Sequence, residues 1–407
     1  MTPIVEIAEY ESVEVELTVE AEQRLRFIAG TRLTTAPGSA AGRYVVTAAY
    51  HVGAIVTPDL HVIVRPKVLT SSLLYLLGAA PVDLDDQTAD LLDTQDLVPA
   101  LAMFFAVQLE QLFRRGIIRG YLHTEERVPA VRGRIDVAAQ VARGGLSFPV
   151  ACQYDEHTAN IRLNRRVRAG TLRLLRLPGV APATCHRLGR LLANGFDDVG
   201  ELGAGDLRPT RSYTRLDEHY RSIDKLAQLV LSHAAFDSRQ GTATVSAFTV
   251  NMNSVFESFV ARELTRELRG VLEVTEQRRG YLDREHRVPI EPDLVFSTPE
   301  RGDVYVADSK YKLTSTGLGR QADYYQLLAY CAALDLPEGV LVYCRNDGDP
   351  VLTEVQVGRT RVNLRAAPLT LAGRPRDITA ETRRLAASII DRVFSLNPGY
   401  SRAAIST

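Results

Sequence analysis

With 407 residues, 45% hydrophobic and 24% charged, the chain can enclose two or three cores and has the composition of an ordinary globular protein. A formal net charge of −1 gives no overall pull on a polyanion, so any nucleic-acid surface must come from locally segregated charge. The four cysteines, Cys152, Cys185, Cys331 and Cys344, lie far apart without a CxxC pair, which argues against a disulfide framework or a zinc site.

The opening MTPIVEIAEYESVEVE is acidic and lacks the basic-then-apolar pattern of a signal peptide. No uninterrupted apolar run approaches the roughly 18 residues of a membrane span. The expectation is a cytoplasmic protein that meets no membrane. Residues 1 to 70 read as β-rich: Val13–Val19 alternates, Tyr44–Tyr50 is β-branched and aromatic, and Leu60–Val64 is a further strand. A small barrel or sheet is predicted there. From Asp96, an available N-cap, the period turns helical: Leu97, Leu101, Phe104, Phe105, Leu109, Leu112 and Phe113 share a face up to Arg114-Arg115-Gly116. That stripe has core spacing and no chemistry.

Residues 120–156 return to strand and loop. The charge then becomes lopsided, with eight arginines and no acidic residue between Asn160 and Phe196. Arg162, Arg165 and Arg166 open an amphipathic helix, and Leu188, Leu191 and Leu192 mark a second. Such a block can grip DNA phosphates. It can equally pair with acidic surfaces such as Asp197-Asp198 and Glu201, and both readings stand at this point. Helices follow at Ser222–Ala235 and, after a loop at 238–244, at Ser254–Arg269. Ser254 and Glu257 have the S-x-x-E spacing of a capping box, in which the glutamate reaches back to backbone N–H groups. Glu257 can instead face a sheet and serve a site.

The most informative stretch is Val288–Lys312, VPIEPDLVFSTPERGDVYVADSKYK. Two apolar runs around a Pro- and Gly-containing turn predict a β-hairpin, with Asp293 on one strand and Asp308 on the other. Alternation puts Lys310 on the face of Asp308 and Ser309 on the opposite face. Converging carboxylates call for a cation, and Mg²⁺ takes carboxylate and water oxygens. Lysine there can orient or deprotonate a water. An ordinary surface ion pair is the plainer alternative. Only Lys67, Lys225, Lys310 and Lys312 are lysine among 48 basic residues, so two within three positions suggest a need that arginine cannot meet.

The next helix, residues 319–330, puts Gln326 and Tyr330 four apart on one face, where they can meet a scissile phosphate or simply cap the sheet. Strands at Val340–Cys344, Leu352–Val357 and Arg361–Ala366 and a helix at Thr379–Leu396 complete the pattern. The predicted class is α/β of the α+β kind, with a β-rich, helix-containing N-terminal part and a central mixed sheet flanked by helices behind it. Boundaries are placed at 1–155, 156–245 (the arginine-rich helices) and 246–407. No glycine precedes any of the four lysines, so a Walker A loop is absent from the sequence.

Pro292-Asp293 with Asp308-Ser309-Lys310 resembles the PD-(D/E)xK nuclease signature, in which a glutamate on the preceding helix, here Glu257, is the usual third acid. Four separated stretches widen the likeness: Arg132-Gly133-Arg134-Ile135-Asp136; Tyr154-Asp155-Glu156-His157-Thr158 with Leu163-Asn164-Arg165; Met252–Val260; and Glu291–Asp293 with Asp308–Lys312. Together they resemble the McrC family, the nuclease subunits of modification-dependent McrBC restriction systems. The resemblance implies an endonuclease that cuts DNA, methylated in that family, with Mg²⁺. It implies an McrB-like AAA+ GTPase hexamer that binds the GTP and docks on the N-terminal part, and a stimulation of its GTP hydrolysis.

Carried over, Asp293, Asp308 and Glu257 are the expected metal ligands, with Lys310 and Gln326 catalytic beside them. Arg162, Arg165, Arg166, Lys312 and Tyr330 are candidate DNA contacts. Cutting both strands favours pairing of two nuclease domains. The alternatives are an adaptor that mainly activates the GTPase and a stand-alone nuclease.

Overall fold

The computed structural model describes residues 2–145, 148–208, 212–236, 246–311, 321–345, 353–358 and 362–396. Lys312 and the expected loop at 238–244 lie outside them. The chain forms two compact units, one of residues 1–55, 59–97 and 249–407, the other of 56–58 and 98–248. These units are not the three consecutive segments expected. Residues 1–97 pack with the C-terminal part through pairings across hundreds of positions, which local periodicity does not encode.

The first unit is centred on a six-stranded mixed sheet in the order Glu273–Glu276, Leu294–Thr298, Gly302–Lys310, Glu338–Arg345, Asn363–Thr370, Thr353–Gln356. The hairpin partners are antiparallel, with Leu294 opposite Ala307. The strand of Lys310 then runs parallel to Glu338–Arg345, with Asp308 opposite Leu341. Val304, Tyr305 and Val306 suit a strand covered on both faces. Gly302, at φ 71°, supplies the left-handed turn residue before it.

The helix Gln321–Ala333 covers one face. Its Leu327, Tyr330 and Cys331 pack with Val295, Val306 and Leu341, and each such fully buried aliphatic side chain contributes roughly 1.5–3 kcal/mol. A Cβ on Gly339 would come within 2.8 Å of Leu327 and 2.9 Å of Cys331 and Val306, so this helix seats directly on backbone. Met252–Glu267 and Pro375–Leu396 pack on each other and on the sheet, with the Phe256 ring 6.0 Å from that of Tyr311. There the buried Glu338 accepts from Tyr305 and Arg392 at 2.8 Å.

The N-terminal residues of this unit build a three-stranded sheet, Ser12–Glu16, Arg43–Ala48, Leu33–Pro37, and a row in which Ile4–Ala8, His61–Arg65 and residues 51–55 lie side by side with residues 249–251. The alternation read to Val19 stops at Glu16. Val19–Ala29 is a helix, capped by the Thr18 hydroxyl accepting from the Ala21 N–H and carrying Glu20 and Glu22 in its first turn.

In the second unit, Gly120–Val128 and Arg134–Ile135 flank Val150–Thr158 in an antiparallel sheet. Helices Leu97–Arg115, Arg162–Leu174, Pro182–Gly195 and Arg221–His233 complete it. Leu97–Arg115 is long and apolar enough, by length and composition, to cross a membrane. Its Leu101, Phe104, Phe105 and Leu109 are core residues, at most 1% exposed.

Candidate functional site

The hairpin register carries Asp293 and Asp308 to neighbouring positions, one step beyond the Leu294 and Ala307 pair. Asp293 is held by backbone: its carboxylate accepts the Ser309 N–H at 2.7 Å, and its carbonyl accepts the Gln277 N–H at 2.9 Å. Asp308 is 1% exposed, and its Oδ2 lies 2.6 Å from the Lys310 Nζ. Lys310 retains a 19% exposed side chain, so the ion pair has one end in the core and one toward solvent. Apart from that ammonium, Asp308 Oδ2 is buried without a hydrogen-bond partner.

Burial pushes Asp293 well above the usual carboxylate range, against the Ser309 N–H, and the nearby Glu257 charge pushes the same way. Burial, then the Asp293 charge, does the same to Asp308, and Lys310 only partly opposes it. Burial pulls the Lys310 ammonium down, but the carboxylates of Asp308, Asp293 and Asp323 outweigh it and leave Lys310 above the ordinary lysine value. The site is thus short of positive charge.

Glu257 lies near the start of Met252–Glu267 within electrostatic reach of Lys310 and Asp308; burial raises its pKa, and Asp308 adds to the rise. The capping-box reading is corrected. The helix begins earlier than Ser254, and Asn251 caps it by accepting the Asn253 and Ser254 N–H groups at 3.0 and 3.3 Å. That leaves Glu257 in the second turn, free of a capping duty.

Across the sheet, Gln326 Nε2 donates to the Tyr330 hydroxyl at 2.6 Å, which donates in turn to the Glu291 carbonyl at 3.2 Å. Asp308, Lys310 and Asp293 all act on the Tyr330 hydroxyl electrostatically. Sequence reasoning missed Asp323, 4% exposed on the same helix, which accepts from the Tyr343 hydroxyl at 3.2 Å and acts on Asp308 and Lys310. Its only local signal was an acidic residue in a helical first turn.

Among the described residues, no group of three His, Cys, Asp or Glu side chains is spaced to hold a metal ion. Glu257 acts on Asp293 and Asp308 through its charge from the neighbouring helix, whose Phe256 packs on Tyr311. Two carboxylates still suit Mg²⁺, which keeps several waters and takes one or two protein carboxylates plus phosphate oxygens. Asp308 Oδ2, buried with the Lys310 ammonium as its one close partner, fits such a ligand.

Three of the eight arginines are committed to acidic side chains, while Arg176 and Arg190 are exposed. Arg165 forks onto Asp206 at 2.8 and 3.0 Å, Arg187 onto Glu110 at 2.6 Å, and Arg166 is fully buried 3.2 Å from Asp224. Arg166 as a DNA contact is thereby corrected, and Arg165 has its fork committed. Acidic partners distant in sequence absorb these charges. Arg162 is partly exposed beside them.

Fold and site together define an α+β protein of nuclease-like architecture. The family model described as McrBC 5-methylcytosine restriction system component matches residues 46–344, and the chain belongs to that family. It is similar in fold, at 18% identity and a TM-score of 0.60, to a chain of the refined half-complex from the tetradecameric assembly of Thermococcus gammatolerans McrB AAA+ hexamers with bound McrC, covering 95% of this chain and 100% of that one. A chain of the cryo-EM structure of the Thermococcus gammatolerans McrBC complex matches at 18% identity over 65% of this chain and 88% of that one, with a TM-score of 0.42. No curated protein matches.

Proposed function

We propose that the chain is the Mg²⁺-dependent endonuclease subunit of a McrBC-like restriction system, cutting DNA with an AAA+ GTPase ring whose GTP turnover it stimulates. The observation that carries this is the buried Asp308–Lys310 ion pair beside Asp293 at one end of a mixed sheet. Membership of the restriction-system family supports it. The hexamers named for the similar structure support the partner.

Asp293 and Asp308 would hold Mg²⁺, which when bound supplies charge stabilisation for the phosphorane-like transition state and a more acidic water. Lys310, kept protonated by Asp308, serves as a cation that orients the attacking water or meets a phosphate oxygen. Gln326 and Tyr330 offer a linked hydrogen-bonding pair on the neighbouring helix. Glu257 adds negative charge at longer range and favours cation entry.

The test mixes the chain, its cognate GTPase, GTP, Mg²⁺ and methylated DNA. Asp308→Ala and Lys310→Ala are expected to abolish cleavage while GTP stimulation persists. Cleavage at the native rate by either variant overturns the reading. Stimulation without cleavage by the unaltered chain assigns it to the adaptor class.

A further inference from the structure

The strand that delivers Lys310 is fastened immediately beyond it. Tyr311 is 2% exposed, and its hydroxyl donates to Glu9 Oε1 at 3.2 Å, while its carbonyl accepts from the Tyr10 hydroxyl at 3.3 Å. Two consecutive N-terminal residues therefore hold one residue of the hairpin by both side chain and backbone, across 302 and 301 positions of sequence.

Glu9 is itself fixed. It is fully buried, its N–H donates to the Arg65 carbonyl at 3.3 Å, and its Oε1 also accepts the Lys67 N–H at 2.9 Å. Its Oε2 is buried without a hydrogen-bond partner. Tyr10 holds φ at 62°, a left-handed conformation that is strained for a residue other than glycine. Surrounding contacts must sustain that strain, and such strain gathers where geometry serves a site. The Lys67 ammonium lies 5.9 Å from the Tyr10 ring centre. On its other side, the Tyr311 ring meets Phe256, which precedes Glu257.

We propose that Glu9, Tyr10 and Tyr311 form a positioning latch that sets where the Lys310 ammonium sits against Asp308. This deepens the nuclease reading and rests on it. The three touch no reacting atom; they are positioning residues, acting through the backbone between Tyr311 and Lys310. Burial outweighs the Lys67 N–H and the Tyr311 hydroxyl and pushes the Glu9 carboxyl up to about 7.

The test uses the full chain carrying Tyr311→Phe or Glu9→Gln, each of which preserves most of the packing. The first readout is acylation at fixed pH by a small amine-reactive ester, followed by peptide mass at Lys310 and at Lys225 as an internal standard. It requires no cleavage. Tyr311→Phe and Glu9→Gln are expected to raise Lys310 labelling several-fold relative to Lys225, because the ion pair with Asp308 loosens. Global destabilisation would raise both lysines together, and destabilisation confined to the first unit, which holds Lys310 but not Lys225, would show as a lowered Tm beside the labelling.

The second readout is cleavage with the GTPase partner, where a fall in maximal rate of about tenfold is expected with little change in the Mg²⁺ concentration for half-maximal activity. Lys310 labelling that matches the unaltered chain in both variants, or rises only in step with Lys225, overturns the latch. If Lys310→Ala cuts normally while the labelling shift persists, the nuclease reading fails and the latch stands.

Discussion

The Lys310 ammonium meets the Asp308 carboxylate at 2.6 Å, with Asp308 in the core and Lys310 at its margin. A pair of this kind gives little net stability, because desolvating the carboxylate offsets the attraction. On the proposed nuclease reading, its value lies in what it would present to a phosphate.

Replacing Lys310 by alanine should therefore cost activity far more than structure. A loss of about 10²–10⁴-fold in cleavage rate is expected, the usual worth of a positioned proton-transfer or charge-stabilising group. Lys310→Arg should not restore it, since a fixed planar fork replaces a compact ammonium. Single-turnover cleavage beside circular dichroism checks both, and a rate within threefold of native would remove Lys310 from the chemistry.

Stability should depend on pH through Asp293 and Asp308, which stand at about 6 against roughly 3.9 for an unfolded aspartate. Between these values the folded state binds more protons, so without metal the contribution is full below about 4 and is lost as pH rises through about 6. Mg²⁺ needs the ionised acids, so it should raise Tm at pH 7.5 and hardly at pH 5. Asp308→Asn should raise the metal-free Tm at pH 7.5 and erase the Mg²⁺ gain. Equal gains at both pH values would contradict metal binding at these acids.

Arg166 and Asp224 are both fully buried, and Asp224 also accepts from Tyr213 and Gln228 at 2.7 Å. Arg166→Ala strands a buried carboxylate and should destabilise by about 3–5 kcal/mol in urea unfolding. The salt dependence of DNA binding by the folded fraction should not change, because Arg166 reaches no phosphate. A flatter salt slope would return Arg166 to the DNA surface.

Gly339→Ala should overpack the seat of Gln321–Ala333, where the new methyl meets three side chains at under 3.0 Å. The expected cost is about 1–3 kcal/mol. Because the displaced helix carries Gln326 and Tyr330, cleavage should fall as well; native Tm with native activity would show that the helix is not seated this way.

The hairpin was legible because period-2 alternation places Asp308 and Lys310 on one face whatever surrounds them. Asp293 was legible once the pairing was assumed. Asp323 was not, since its significance depends on Tyr343 and on a charge carried by another strand. The fate of Arg165, Arg166 and Arg187 was open in the sequence because Asp206, Asp224 and Glu110, which settle it, lie up to 77 positions away. Val19–Ala29 was hidden by an alternation that ran past its Thr18 cap, although Thr18 with Glu20 and Glu22 is a start signal in plain view.

Because the first unit draws on residues 1–55 and 59–97 and again on 249–407, a nascent chain that has emerged only to residue 248 owns none of the mixed sheet. Its early strands can pair among themselves, and of these the strand at residues 51–55 still lacks its neighbour at residues 249–251. A fragment that stops anywhere before the strand Gly302–Lys310 therefore carries Asp293 at most and never the Asp308–Lys310 pair.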